Sequence, residues 1–165
     1  MITIELDNAR AMAALNRLLR AGVNPAPVLK AIGEDLVEST RQRIHAGGPG
    51  PHGEVWERNS PVTMALAAKF NRPKKMGNHP LVDSGILMDT ISFRVSGDTL
   101  YVGTDRFADE WEGGAAVLHF GTDRAGRDHK VKIPARPFLG VSNDDADEIE
   151  ATVNEVLSRL VDGKN

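Results

Sequence analysis

The segment covering residues 116–140 constrains the fold of this chain more than any other part of the sequence. Pro134 and Pro137 each fix the backbone angle φ and lack an amide proton, and each drives the preceding residue toward an extended conformation. The sequence therefore predicts a stiff, extended segment with apolar anchors at Phe138 and Leu139. Such a segment can bind a partner or cover a sheet edge at a low cost in ordering. Alternatively, it is a rigid connector whose two anchors fill the core of their own subunit.

Composition limits the class of protein. The 165 residues suit a single domain, 1–165, which is large enough to bury a core without cross-links. The chain has no cysteine, which excludes disulfides and thiolate metal sites. With 20 Lys and Arg against 23 Asp and Glu, no overall positive charge points to nucleic acid. No apolar run approaches the roughly 20 residues of a membrane helix, and the first residues lack a secretory pattern. These features indicate a soluble product of cytoplasmic synthesis, with no membrane partner.

The N-terminal part predicts a strand followed by a helix. Residues 2–6 alternate apolar and polar side chains, which is typical of a half-buried strand. Asp7 or Asn8 would cap the helix at its start, and Gly22 would end it. The expected buried face of this helix consists of Ala11, Met12, Leu15, Leu18 and Leu19.

Two longer helices are predicted further along the chain. One begins near Pro25, which the first helical turn tolerates, and it ends at Gly47. The other begins at Ser142, where Ser-x-x-Asp to Asp145 resembles a capping box. Its expected buried stripe consists of Ile149, Val153, Val156, Leu157 and Leu160.

Residues 91–104 carry the strongest local signal, that of a β-hairpin. Gly97 and Asp98 supply a two-residue turn, and glycine at the first turn position suits type II′. The register that follows from this turn opposes apolar partners on one face, Val95 with Leu100 and Phe93 with Val102.

Strands and helices segregate along the chain, which predicts an α+β fold. We expect a small, mainly antiparallel sheet with the N-terminal and C-terminal helices packed on it. Residues 47–80 are rich in proline and glycine and are predicted to form a long extended loop or arm, with a short helix at 61–70. The apolar run at 115–120 fits either a strand or the end of a helix.

Two basic clusters stand out in an otherwise acidic chain. The first consists of Lys69, Arg72, Lys74 and Lys75, and the second of Arg124, Arg127, Lys130, Lys132 and Arg136. Each is either a solvated loop face, the usual role of a short charge run, or a contact with phosphate or an acidic partner.

The sequence carries little that resembles catalytic chemistry. The histidines are His45, His52, His79, His119 and His129, and none of them form the i, i+4 pair of a helical zinc site. The carboxylates of Asp105, Asp109, Glu110 and Glu112 lack a matched base or nucleophile. We therefore expect them to form a solvated face rather than a site of acid–base or metal-assisted catalysis. A hydrogen-bonded structural role is favoured over a catalytic base for His119. The sequence therefore predicts a non-enzymatic protein with no metal and no cofactor.

A set of motifs, in order, resembles the phage virion-morphogenesis or tail-completion family, the group that includes the Mu-like G protein. Helices are followed by Gly-Gly-Pro-Gly-Pro-His-Gly-Glu-Val-Trp at 47–56 and by Leu-Val-Asp-Ser-Gly-Ile-Leu at 81–87. Tyr-Val-Gly-Thr at 101–104, Phe-Ala at 107–108 and His-Phe-Gly at 119–121 come next. Ile-Pro-Ala-Arg-Pro-Phe-Leu-Gly at 133–140 is the most specific motif, and an amphipathic helix closes the series. One departure is an apparent insertion at 109–114.

The resemblance implies a structural virion protein of a tailed phage or prophage, located in the tail or neck. It would complete the head-proximal end of the tail and join it to the head through a ring of subunits, expected to be a hexamer. Its partners would be further copies of itself, the tail tube or terminator, and neck or connector proteins, with a passing contact to phage DNA. A closed ring needs head-to-tail interfaces.

The residues expected at a subunit or tail and neck interface are Trp56, His119, Phe120, Arg124, Arg127, Arg136, Pro137, Phe138 and Leu139. Phe138 is expected to face inward, with Arg136 and the basic loop facing outward. The cluster at Lys69, Arg72, Lys74 and Lys75 would face DNA. Two alternatives stay open, a small nucleic-acid-binding domain that uses basic loops 69–75 and 124–136, and a hydrolase that uses the carboxylates at 105–112.

Overall fold

Helices account for most of this computed structural model, which describes residues 8–69, 79–82, 85–105, 114–126 and 128–162. The described helices are α1 (Ala9–Arg20), α2 (Ala26–Ala46), α3 (Pro61–Lys69), α4 (Ile86–Asp89), α5 (Gly114–Phe120) and α6 (Asn143–Asp162). The described strands are β1 (Ile91–Ser96), β2 (Thr99–Thr104), β3 (Thr122–Ala125) and β4 (Val131–Ile133). The strand predicted at 2–6 lies outside the described residues.

The first two helices begin and end close to the predicted residues. The Asn8 side chain accepts hydrogen bonds from the amides of Arg10 and Ala11, both at 3.1 Å, and so caps α1. The second helix ends at Gly47, which has the left-handed φ of 79° common after a helix. No described helix is both long enough and apolar enough to span a membrane.

The buried face of α1 differs from the prediction. Ala11, Ala14 and Leu18 are buried against the core, whereas Met12 is 44% exposed and Leu19 is 42% exposed. The sequence stripe placed all the large apolar residues inward, but the buried face of α1, which packs on α6, consists of two alanines and Leu18. Two large apolar side chains are therefore left at its border.

The predicted hairpin is confirmed with its register. Strands β1 and β2 are antiparallel, with Ser96 opposite Thr99 and, further along, Phe93 opposite Val102. The hairpin packs on α2 at Gly33, where an added Cβ would lie 2.5 Å from Phe93 Cδ2. Glycine at this position permits the helix and the sheet to approach each other closely.

The fold is α+β, as predicted, but its strands form two separate two-stranded antiparallel sheets among the described residues, β1–β2 and β3–β4. The sequence indicates only a basic loop in this stretch, but β3 and β4 pair there as a second hairpin, with a register irregularity between Thr122 and Ala125. The apolar run before it is helix α5. This second hairpin lacks alternating burial, so the sequence carried no strand periodicity there.

The third long helix begins with the predicted capping box. The Asp145 amide donates to Ser142 Oγ at 3.1 Å, and the Ser142 amide donates to Asp145 Oδ2 at 2.7 Å. Ile149 and Val153 are buried, whereas Leu160, predicted in the same stripe, is exposed. One hydrophobic cluster joins α1, α2 and α6, and a second surrounds Phe138.

Candidate interaction surface

The segment at 134–140 lies across the second hydrophobic cluster of its own subunit. The Phe138 side chain is 0% exposed, and Leu139 is buried beside it. Trp56, also buried, donates its indole Nε1–H to the carbonyl oxygen of Pro137 at 3.1 Å. The loop that carries Trp56 therefore covers the extended segment and fixes its path.

Arg136 is buried, with 6% of its surface exposed, so the expectation that it faces outward is wrong. Its Nε–H donates to the carbonyl of Glu57 at 2.9 Å, and Nη2 donates to the carbonyl of Arg58 at 3.4 Å. Its amide donates to the carbonyl of Leu118 at 3.0 Å. A buried guanidinium needs such acceptors. Burial lowers the pKa of Arg136, and the charge of Glu57 acts in the opposite direction.

His119 accepts a hydrogen bond at Nδ1 from the amide of Phe138, at 3.3 Å. Because Nδ1 is the acceptor, it carries no proton in this arrangement. Burial lowers the pKa of His119, although the charge of Glu54 acts to raise it. The ring makes edge-on contacts with Phe120 and Phe138, at centroid distances of 4.5 and 5.1 Å. This environment is that of a neutral structural histidine.

A buried ion pair links the segment to α6. Arg43 donates from Nη1 to the carbonyl of Phe138 at 2.8 Å and from Nη2 to Asp145 Oδ2 at 3.1 Å. Burial acts to raise the pKa of Asp145, but interactions with Ser39, with Ser142 and with the Arg43 charge outweigh it and lower the pKa. Sequence reasoning missed Arg43, because an arginine in a helix carries no signal for the distant carbonyl and carboxylate that it contacts.

The β3–β4 hairpin projects from this anchored segment. At its root, Gly121 has φ of 74°, and an added Cβ there would lie 2.6 Å from the amide nitrogen of Ala135. Its strands are largely exposed, and it makes no extensive contact with another described element. Phe120, just before it, is 64% exposed, and Val131 on β4 is 55% exposed. Arg124, Lys130 and Lys132 are exposed on the same hairpin.

The structure thus divides the predicted interface residues into two groups. Buried or half-buried residues gather around the anchored segment: Trp56, His119, Arg136, Pro137, Phe138 and Leu139. Exposed residues lie at or on the hairpin: Phe120 and Arg124. Arg127, Arg72, Lys74 and Lys75 lie outside the described residues, and Lys69 is exposed at the end of α3. Val131 was not predicted, since one valine in a charged run carries no signal.

The described residues include only part of the carboxylate cluster that the sequence identified. Asp105 is described and exposed, but the other three carboxylates of its predicted cluster lie outside the described residues. Across the described ranges, no group of three His, Cys, Asp or Glu residues could hold a metal ion. The described residues thus form a buried anchoring segment at 134–140 and an exposed basic hairpin. Phe120 and Val131 are the exposed apolar side chains at this hairpin.

Comparison with known proteins defines the class of this protein. Residues 6–158 match the family model described as the phage virion morphogenesis family, and the chain belongs to that family. It is similar to the Mu-like prophage FluMu G protein 2 of Haemophilus influenzae, with 30% identity over 162 residues, 98% of this chain and 99% of that protein. No solved structure matches the chain at a significant level.

Proposed function

We propose that this chain is a structural subunit that completes the head-proximal end of a phage tail and joins it to the neck through a ring of copies, expected to be a hexamer. Membership of the virion morphogenesis family supports a role in particle assembly. The similarity to a Mu-like G protein over nearly the whole length supports a role for the complete domain. The proposal assigns no catalytic step to this chain.

The observation that carries the proposal is the exposed β3–β4 hairpin on a fixed root. A two-stranded hairpin with neither face buried is marginally stable by itself, and here both strands are largely exposed. Its root is held by the Arg136 amide bond to Leu118 and by the close approach at Gly121. We therefore assign the hairpin, with Phe120 and Val131, to contact with a neighbouring subunit, the tail tube or terminator, or a neck protein.

A ring follows from the asymmetry of such a contact. An arm on one subunit that binds a different surface of the next makes a head-to-tail interface, which closes into a ring if the rotation permits. The buried side chains of Trp56, Arg136 and Phe138 hold the β3–β4 hairpin in place from within the subunit. In this proposal they position the interface and do not touch the partner.

The test uses two exposed positions on the hairpin and one matched position elsewhere. Phe120→Asp and Val131→Asp place a carboxylate in the proposed interface and should reduce virion yield at least about tenfold when they replace the gene in its phage or prophage. Val62→Asp on α3, also highly exposed, should leave the yield unchanged. Light scattering and negative-stain imaging should show rings for the Val62 variant and not for the hairpin variants. Unchanged yield and rings in both hairpin variants would overturn the proposal.

A second candidate function, nucleic-acid binding, is favoured by Arg124, Lys130 and Lys132 on one exposed hairpin. If these cations neutralise about three phosphates, raising the salt from about 50 to 200 mM should weaken binding to duplex DNA about 40-fold. Fluorescence anisotropy measures this dependence directly. Replacing the three cations by glutamine should abolish both binding and its salt dependence. The second candidate fails if wild-type binding is insensitive to salt.

A further inference from the structure

A groove of about 1000 Å³ lies between α2, the first turns of α6 and the loop at 48–53. We call it the α2–α6 groove. The core residues Ile32, Leu36 and Ile149 line part of it. Four exposed carboxylates also line it: Asp35, Glu38, Asp144 and Glu148. No described residue of the β3–β4 hairpin lines this groove, so the hairpin and the groove are separate surfaces of one subunit.

Among the described residues, these four carboxylates have no ion-pair partner. The acids of α6 that lie toward α1 differ in this respect, because Asp147 and Glu150 bind Arg10 at 2.6 and 3.1 Å. The guanidinium that lines the groove, that of Arg43, is already paired with Asp145 at 3.1 Å. The groove therefore carries a negative charge that the described part of the subunit does not neutralise. A cleft lined by one sign of charge attracts the opposite sign.

The type of ligand follows from the way these charges are spread. The helix dipole favours Asp144 in the first turn of α6, but it does not account for Asp35 and Glu38 in the middle of α2. A metal ion is not indicated, since no group of three His, Cys, Asp or Glu residues in the described ranges could hold one. The phosphates of a nucleic acid would be repelled. A protein surface with several separate cations fits this groove.

The β3–β4 hairpin is a surface of this kind. Its described charges are three cations and two carboxylates, all exposed: Arg124, Lys130, Lys132, Asp123 and Asp128. Asp123 lies 3.9 Å from Arg124, whereas the two lysines form no ion pair within the described part of the chain. Val131 and Lys132 are adjacent in β4, so their side chains point to opposite faces. A flat partner contacts one face of a hairpin, whereas a groove contacts both and here offers apolar side chains and carboxylates.

We propose that the β3–β4 hairpin of one copy binds in the α2–α6 groove of the next copy. This inference rests on the proposed function and identifies the surface that receives the hairpin. Because the two surfaces differ, the contact is head-to-tail.

The segment at 134–140 fixes the angle between the hairpin and the groove. Arg43, which lines the groove, donates to the carbonyl of Phe138. The Arg136 amide donates to the carbonyl of Leu118 and so holds the root of the hairpin. A fixed angle gives every contact the same rotation, as a closed ring requires.

A charge swap tests the contact in the assembled particle. Lys130→Glu with Lys132→Glu should lower virion yield at least about tenfold, and so should Glu38→Lys with Glu148→Lys, because each pair brings like charges together. Combining the four substitutions should restore the yield to within about threefold of wild type, since opposite charges face each other again. The matched control is Asp162→Lys, at an exposed carboxylate of α6 outside the groove, which should leave the yield unchanged.

The outcomes separate this inference from the proposed function. If Phe120→Asp and Val131→Asp lower the yield and the groove variants do not, the hairpin contact stands, but this inference is overturned. It is also overturned if the lysine variants lower the yield, the groove variants fail to restore it, and wild type binds duplex DNA in a salt-dependent manner. The lysines would then contact DNA. Wild-type yield in every hairpin and groove variant would overturn both the inference and the proposed function.

Stability distinguishes a binding role of the carboxylates from a folding role. Glu38→Gln with Glu148→Gln removes like charges and keeps an acceptor for the Gln42 side chain, which bonds to Glu38. The urea midpoint should therefore stay the same or rise, while virion yield falls. A lower midpoint would show that these carboxylates serve the fold of the subunit and would contradict the inference.

Cross-linking identifies the two surfaces directly, because the chain has no native cysteine. Copies with Lys132→Cys and copies with Glu148→Cys are expressed together, and a short bismaleimide should give a covalent dimer in assembled particles only when both are present. A chain with both substitutions should give a ladder whose longest member counts the copies in the ring. Dimers from Glu148→Cys alone would show a two-fold contact between grooves. That result, or the absence of the mixed dimer, would overturn the inference.

Discussion

Arg136 holds together two segments that lie far apart in the sequence. Its side chain donates to the carbonyls of Glu57 and Arg58, and its amide donates to Leu118. The sequence identified the motif that contains Arg136 as the organising stretch, but it could not identify these partners, since backbone carbonyls have no side-chain signature. The same limit applies to Arg43, whose acceptors include the carbonyl of Phe138.

Replacing Arg136 by methionine should destabilise the fold by about 3 kcal/mol, because the carbonyls of Glu57 and Arg58 lose the donor that joins them to the segment at 134–140. Urea unfolding followed by circular dichroism measures the change. Arg124→Met, at an exposed position on the hairpin, should change stability by no more than about 0.5 kcal/mol. Equal stability of the two variants would contradict the anchoring role of Arg136.

His119 should make the stability of the protein depend on pH. Burial lowers its folded-state pKa below the ordinary value of 6.5, so unfolding takes up a proton in the interval between the two values. The contribution of His119 is therefore fully present above pH 6.5 and is lost as the pH falls toward the folded-state pKa. Urea unfolding between about pH 7.5 and 5 should show this loss in wild type.

The variant His119→Asn should show a shallower dependence over the same interval, because asparagine offers an acceptor near Nδ1 but does not titrate. An identical slope of stability against pH in wild type and His119→Asn would contradict the assignment of this pH dependence to His119.

The carboxyl of Asp145 affects stability in a separate pH range. Its folded-state pKa lies below 3.8, so its contribution to stability is present above that pH and is lost at more acid values.

The helices and strands fall into two groups. In one group the sequence periodicity reflects burial, and in the other the sequence has no such periodicity. The β1–β2 hairpin, α2 and the start of α6 follow from turn residues, breakers and caps, and the sequence predicted them closely. The sequence did not distinguish helix from strand for α5, and it did not predict the β3–β4 hairpin. A short apolar run fits strand and helix equally, and a hairpin with no buried face has no alternation to detect.

Helix α2 and the first hairpin are tightly fitted at Gly33. Alanine in place of glycine usually stabilises a helix by up to about 1 kcal/mol, but here the added Cβ would lie 2.5 Å from Phe93 Cδ2. We expect Gly33→Ala to destabilise the protein by about 1–3 kcal/mol, measured by thermal or urea unfolding. In a Phe93→Leu background the same change should cost less, because the smaller side chain makes room. Additive effects of the two changes would contradict the close fit.

At the scale of the whole molecule, the core and the candidate interface are separate structures. The two hydrophobic clusters draw on α1, α2, α6 and the segment around Phe138, whereas β3–β4 contributes to neither. The sequence predicted the family and the fold class, but it assigned the buried and the exposed residues to one interface. Only the tertiary arrangement separates the residues that position the β3–β4 hairpin from the residues that are available to a partner.

Replacing residues 123–132 by a short Asn-Gly turn should therefore change the stability of the subunit by no more than about 1 kcal/mol. The same variant should fail to support virion assembly, since the proposed contact is removed. Unfolding midpoints and virion yield, measured on the same variant, separate the two effects. A large loss of stability would show that the hairpin belongs to the core of the fold.

The fixed root at Gly121 and Arg136 has a consequence for how this protein can diverge. Changes at the root are constrained by folding, because the space and the acceptors there are already taken. Changes on the exposed strands carry no such constraint. If the hairpin makes the proposed contact, a few substitutions on β3 and β4 would change the assembly specificity of the subunit while the rest of the chain keeps its structure.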